Sequence, residues 1–275
     1  MDSRSVLVTG GTSGIGKAVV NYFCQKGDNV WALSRSASSY KREAVNHHLV
    51  NCDVTDEQSV KSAVDQIVTE IKELSLAKVS IVIHCAGYGI AGAAEDTPIA
   101  DVKAQFETNY FGVLRVNRAL LPYLREEKNS LIVILGSIAG RISIPFQSHY
   151  ASTKFALEAY VEALRIEAKK FNIKATIVEA GDTKTSFTNN RTLTFPKGSV
   201  YLEQGKKSVD KMAHDEQSGY SPTKVAKVIY TLSLKKNPPI RVAVGFSYKL
   251  LMFLKRLLPD FVAEFIISKM YLPKS

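Results

Sequence analysis

Short runs of apolar, β-branched residues alternate along this chain with longer stretches of helical periodicity, and that alternation restricts the fold more than any other property. Val6-Leu7-Val8 precedes a helical pattern from Gly14 to Lys26, followed by Val30 to Leu33, Leu49-Val50, a helix running to about Leu74 and a strand from Val79 to His84. A helical pattern from Pro98 to Arg125, the strand Leu131 to Leu135, a helix to about Lys170 and the strand Ile173 to Val178 continue the rhythm. Ser221-Pro222 opens a helix over Val225 to Leu234, and Ile240 to Val244 reads as the last strand. Apolar strands separated by helices predict an α/β fold, a Rossmann-type doubly wound parallel sheet in one domain. Thr55-Asp-Glu-Gln58 reads as a capping box in front of the second helix.

Composition narrows the setting. With 275 residues and 45% hydrophobic content there is ample material for one large core. Cys24, Cys52 and Cys85 are odd in number and lack metal-ligand spacing, so neither a disulfide framework nor a metal site is expected. No signal pattern and no long uninterrupted apolar run are present, which points to a cytoplasmic protein. The net charge of +10 comes from dispersed Lys and Arg without a nucleic-acid motif. Nucleic acid is therefore not the expected partner; anionic cofactor phosphates, or an anionic lipid surface, use this charge better.

The glycine-rich turn Thr9-Gly10-Gly11-Thr12-Ser13-Gly14-Ile15-Gly16 lies between the first strand and the first helix. Gly10 permits a tight turn, while Gly14, Ile15 and Gly16 bring backbone close to a pyrophosphate resting on the helix N-terminus, and Thr12 and Ser13 add hydroxyl donors. An NAD-preferring site would place an acidic residue after the second strand; here Ser34-Arg35 stands there. A guanidinium supplies a fork of donors for a 2'-phosphate, so Arg35 favours NADP(H).

Tyr150-Ala-Ser-Thr-Lys154 follows Ser137 by a short interval. Tyr and Lys four apart share a helix face, and an ammonium near the phenol is expected to lower its pKa and make Tyr150 a usable acid and base. Ser137 would hold the oxygen of a carbonyl that gains negative charge as hydride arrives. Each element is weak alone; together with the phosphate cradle they describe hydride exchange between a nicotinamide and a carbonyl or alcohol.

From about Ser5 to Gly245 the chain resembles the short-chain dehydrogenase/reductase family, in its single-domain branch. The resemblance implies that Asp53-Val54 contacts adenine, that Ala86 and Gly87 lie by the cofactor, that Asn109 in Glu107-Thr-Asn-Tyr-Phe-Gly supports a proton relay through Lys154, and that Thr183 and Thr185 hold the nicotinamide carboxamide. It also implies that Tyr150 and Lys154 touch the cofactor, and that the protein forms a dimer or tetramer. Two departures stand out: His84-Cys85-Ala86-Gly87 replaces Asn-Asn-Ala-Gly, with His84 read as structural, and Ala180-Gly181 replaces Pro-Gly.

Between Asp182 and Gly219 the chain is polar and reads as a long loop forming a substrate lid within a catalytic domain of residues 1–245. Residues 246–275 form an amphipathic extension with two apolar helical patterns broken at Pro259. It would pack on the fold or a partner subunit, or rest in a membrane interface, being too interrupted to span one. The expected activity is NADP(H)-dependent interconversion of a hydrophobic ketone and secondary alcohol. The family resemblance puts a steroid first, with retinal or an acyl-ketone lipid as alternatives; a non-catalytic NADP-sensing protein is the rival.

Overall fold

The computed structural model describes residues 3–127 and 129–272. The first two positions of the expected catalytic domain, position 128 within it and the final three of the expected extension lie outside the described residues. Strands β1 (Ser5–Thr9), β2 (Asn29–Ser34), β3 (His47–Asn51), β4 (Val79–His84), β6 (Ser130–Ser137), β7 (Ile173–Ala180) and β9 (Arg241–Ala243) form one seven-stranded sheet in the order β3-β2-β1-β4-β6-β7-β9, every neighbouring pair parallel. The two-residue strands β5 (Ile90–Ala91) and β8 (Thr192–Leu193) pair separately.

Alternation along each strand gives the sheet two apolar faces, because successive side chains point to opposite sides. Val6 and Val8 join Val19, Val20 and Phe23 of α1 (Gly14–Gln25) and Val225, Ala226 and Ile229 of α7 (Pro222–Ser233) in one core. Leu7 faces the other way, into a core with α2 (Glu57–Glu73), α4 (Gly112–Leu124) and α5 (Ser148–Glu167). Buried positions on α1 recur at Gly16, Val19, Val20 and Phe23, the spacing of one helix face. Truncating Phe23 would remove roughly 3–5 kcal/mol.

Several local expectations need correction. The cap of α2 is Asp56, whose carboxylate accepts from the Ser59 N–H, while the Thr55 hydroxyl is engaged with Asp53 at 2.8 Å; the charged side chain takes the cap. The helix expected from Pro98 to Arg125 is divided into α3 (Ile99–Phe106) and α4 by a π turn over Glu107–Phe111. The polar segment 182–219 is no long loop: besides β8 it holds α6 (Leu202–Gln217), which buries Gly205, Ser208, Val209 and Met212. Its buried stripe is mostly small or polar, which is why periodicity of apolar residues does not reveal it.

After β9 come α8 (Phe246–Leu257) and α9 (Asp260–Tyr271). Tyr248, Leu251, Met252 and Ile267 from these helices pack on Ile138, Ile142 and Ala243 near the carboxyl ends of the strands. The extension therefore packs on the fold along one face. Among the described residues, no helix is long and apolar enough to cross a membrane.

His84 closes β4 at 2% exposure, its Nε2–H donating to Asn117 Oδ1 at 2.8 Å, and Asn117 donates in turn to the Tyr160 hydroxyl at 3.1 Å. Burial pulls the imidazole down from 6.5 to about 4, against the opposing pull of that bond. The folded protein thus holds His84 neutral where the unfolded chain protonates it, so its contribution is complete above 6.5 and is lost as pH falls toward 4. The expected slope is about 1.4 kcal/mol per pH unit. Urea unfolding from pH 7 to 4.5 should show this acid limb, and His84→Asn should flatten it; parallel profiles would mean that the imidazole is not held neutral.

Candidate active site

β1 and β4 are neighbours where the strand order reverses, and their carboxyl ends open a crevice. Thr9 ends β1 with its hydroxyl oxygen accepting from the N–H groups of Cys85 (3.2 Å) and Ala86 (3.3 Å), which fixes the exit of β4 against the turn after β1. Gly10 follows at φ 65°, and a Cβ there would lie 2.8 Å from the Ala86 nitrogen. A Cβ on Gly16 would collide with the Gly10 carbonyl oxygen. These contacts hold the chain so that Gly10, Thr12, Ser13, Gly14, Ile15 and Gly16 line the crevice at the start of α1, where unpaired N–H groups favour an anion.

The crevice belongs to a cavity of about 1500 Å³. That exceeds the roughly 300–1,000 Å³ usual for a single small ligand and leaves room for two molecules side by side. Arg35, Asp53 and Val54 line one end, and Ala86, Gly87, Ser137, Tyr150, Lys154, Thr183 and Thr185 line its middle. Arg35 is exposed and has no ion-pair partner among the described residues. The Ser34 hydroxyl beside it is buried without a hydrogen-bond partner. Asp53 accepts from the Thr55 N–H at 2.9 Å; burial raises its pKa, but the Thr55 bonds and nearby Arg35 outweigh that and leave it lowered. A glycine cradle, an orphaned hydroxyl and a free guanidinium form a donor set that fits a nicotinamide dinucleotide.

Ser137, at the end of β6, accepts from the Ala139 N–H at 3.1 Å. Tyr150 lies in the first turn of α5, and Lys154 one turn further on donates to the Leu135 carbonyl at 2.9 Å. Its Nζ sits 5.7 Å from the Tyr150 ring centroid. The expected lowering of the Tyr150 pKa is not what these positions produce. Burial, with Glu216 nearby, pushes the phenol up to about 12, opposed by its bond to Ser137, while the Lys154 ammonium donates to a backbone carbonyl. Burial also pulls Lys154 down to about 8, with Cys85 and Glu158 acting against it.

Asn109 is 1% exposed, in the π turn, and does not line the cavity. Its Nδ2 donates to the Tyr88 carbonyl (2.9 Å) and Thr153 Oγ1 (3.2 Å), and its Oδ1 accepts from the Tyr88 N–H (3.0 Å). Thr153 donates to the Tyr150 carbonyl at 2.7 Å, so Asn109 joins the segment after β4 to the helix carrying Tyr150. Thr183 donates to the Gly181 carbonyl at 2.9 Å, and Thr185 Oγ1 accepts from the Phe187 N–H at 3.2 Å.

Some participants were not legible as site residues. Phe187 stands 5.7 Å from Tyr150, ring to ring, and Gln147, 5% exposed, lines the cavity one turn before it. Tyr248 of α8 covers Gly181 so closely that a Cβ there would collide with its ring, and it bonds the Asp182 carboxylate and N–H. Only the Tyr150 helix face carried a signal: Lys154 and Glu158 are charged residues on a buried stripe.

A model of the family described as short chain dehydrogenase matches residues 4–194. The chain belongs to the short-chain dehydrogenase family. Its members are oxidoreductases, and this short-chain dehydrogenase is 34% identical to a 3-ketodihydrosphingosine reductase of Bacteroides thetaiotaomicron over 98% of this chain and 99% of that one. A short-chain dehydrogenase structure from Streptomyces avermitilis, 26% identical, superposes with a TM-score of 0.81 over 98% of this chain and 97% of that chain. Two further structures share the fold alone. One, from Burkholderia phymatum in complex with NAD, has TM-score 0.80 at 17% identity, covering 96% of this chain and 95% of its own. The other, from Burkholderia cenocepacia in complex with NADP, has TM-score 0.76 at 18% identity, covering 97% and 98%.

Because Gly16 abuts the Gly10 carbonyl, Gly16→Ala should cost about 1–3 kcal/mol of stability by overpacking. It should also weaken binding of a nicotinamide dinucleotide, tested with NADPH and NADH, more than tenfold, about 1.4 kcal/mol. Thermal melting and calorimetric titration measure the two effects; unchanged affinity for both would mean that the turn does not cradle the cofactor.

Proposed function

We propose that this short-chain dehydrogenase uses NADPH to reduce the ketone of a long-chain lipid with a polar head. The observation that carries the reading is geometric: Tyr150 and Ser137 line one cavity with the glycine turn, and a phenol protonated at neutral pH can donate to a carbonyl oxygen that gains charge. NADPH, when bound, supplies the hydride. Ser137 donates its hydroxyl to the same oxygen, Lys154 holds ribose and keeps positive charge near Tyr150, and Asn109 acts behind them by positioning Tyr88 and, through Thr153, the Tyr150 turn. Arg35, with the Ser34 hydroxyl, receives the 2'-phosphate that distinguishes NADPH from NADH. Gly10 to Gly16 hold the pyrophosphate, Asp53 and Val54 adenine, and Ala86, Gly87, Thr183 and Thr185 the nicotinamide side.

The cavity beyond Tyr150 argues for a lipid over a steroid. Its lining combines apolar Ile142, Leu251, Ile266 and Ile267 with the carboxylates Asp182, Asp215 and Glu216. Arg191 pairs with Glu216 and Lys211 with Asp215, whereas the Asp182 carboxylate bonds Tyr248 and has no direct ion pair among the described residues, with Lys211 and Arg191 acting on it from further away. Such a mixed lining suits a head group with a chain, of which the 3-ketodihydrosphingosine named for the Bacteroides relative is an example. The segment 182–219, carrying Asp215 and Glu216 on α6, acts as the lid. The catalytic unit is residues 1–245, with residues 246–275 completing the substrate wall, and the protein works as a dimer or tetramer.

The test is NADPH oxidation with 3-ketodihydrosphingosine, steroid ketones and retinal. Turnover of the long-chain ketone at least tenfold above the others is expected, and Tyr150→Phe should lower it by about 100-fold or more. NADPH binding without turnover of any substrate would support the NADP-sensing rival. Arg35→Ala should shift the NADPH-to-NADH preference by roughly 10- to 100-fold, the worth of a charged hydrogen-bonding group. Reduction should decline as pH rises through about 8, where Lys154 loses its charge, and a pH-independent rate up to 9.5 would remove Lys154 from that role.

A further inference from the structure

The helices α8 and α9 form a wall with two apolar sides. Tyr248, Leu251 and Ile267 face the cavity or the core behind it. On the other side Phe246 (80% exposed), Leu250 (47%), Phe253 (59%) and Leu257 (64%) follow one another at helical spacing along α8. Phe261 (73%) and Phe265 (61%) do the same on α9. An exposed apolar stripe of this kind marks a contact with something outside the fold.

The charges beside it say what that is. Lys249 and Arg256, seven residues apart and so on one edge of α8, are exposed and have no ion-pair partner among the described residues. Lys255 is already taken by Asp260 at 3.2 Å, and Lys269 lies over the Phe265 ring at 5.5 Å. Glu264, exposed on α9 without an ion pair among the described residues, is outweighed by the two free cations, and on a chain of net charge +10 this apolar face matches an anionic interface. Each helix has only 12 residues, which suits lying in the plane of an interface.

We propose that the outer face of α8 and α9 docks on an anionic lipid bilayer, and that the substrate enters the cavity from that bilayer past these helices. The loading step rests on the lipid-ketone reading above; the docking does not. An apolar chain leaving the bilayer there passes from one apolar surface to another without crossing water, since the same two helices line the cavity.

Flotation with vesicles of phosphatidylcholine, alone or mixed with phosphatidylserine, tests the docking without any turnover. The wild-type protein should float with the mixed vesicles and be released by raised salt. Phe253→Glu with Phe261→Glu should reduce the floated fraction at least tenfold, and Lys249→Glu with Arg256→Glu should abolish the preference for phosphatidylserine. Neither pair lines the cavity, so both variants should melt and bind NADPH as the wild type does. With ketone embedded in the vesicles, the Phe253/Phe261 variant should lose at least tenfold in rate while reducing a water-soluble ketone as fast as wild type. Absence of wild-type flotation would overturn the proposal, as would a concentration-dependent dimer that the Phe253/Phe261 variant dissociates. Flotation with equal variant and wild-type rates on embedded ketone would overturn loading alone. Flotation with no ketone reduced in any form would instead overturn the proposed activity.

Discussion

The hydroxyl of Thr9, bonded to two consecutive N–H groups at the exit of β4, fixes how closely two neighbouring strands release their chains. That spacing leaves no room for a Cβ at Gly10 or Gly16, and it sets the start of α1 against the crevice floor. The glycine turn and the helix terminus that line the crevice are both referenced to this point. Moving the two exits apart would admit larger residues at the turn, but it would also withdraw the helix terminus from any pyrophosphate.

A second constraint is the burial of charge along α5. Lys154 and Glu158 lie on the buried face, and each is held by specific partners: the Leu135 carbonyl for the ammonium, Arg241 at 3.0 Å for the carboxylate. Burial, with Glu179 nearby, raises Glu158 to about 7 despite Arg241. Removing one partner of a buried charged group costs more than the bond itself contributed. The helix carrying Tyr150 is thereby locked in rotation, which keeps the phenol at the end of β6 beside Ser137.

The fold was legible in the sequence because its signals are local and repeated. Apolar strands, glycines at a turn and residues four apart on a helix each state their own geometry. Gly10, Thr12 to Gly16, Arg35, Ser137, Tyr150, Lys154, Thr183 and Thr185 accordingly line one cavity. Other features depended on meetings between distant segments. The π turn that turns Asn109 toward Tyr88 leaves no pattern in Glu107 to Phe111, and α6 conceals its buried stripe behind Gly205 and Ser208. The Tyr150 pKa was misjudged for the same reason: four-residue spacing reports that two side chains share a face, not that the phenol is buried and the ammonium donates to Leu135.

Sequence order also divides the labour. Most residues at the proposed cofactor end lie between Thr9 and Thr185, whereas α6, α8 and α9 add to the lining beyond Tyr150 that Ile142 and Asp182 begin. As the chain is synthesised, the strands that carry the crevice, from β1 to β7, emerge before those helices. On the proposed reading, a nascent chain acquires the crevice for a dinucleotide before the helices that complete the substrate wall, so selectivity could change by exchange of the later helices while the crevice stays in place.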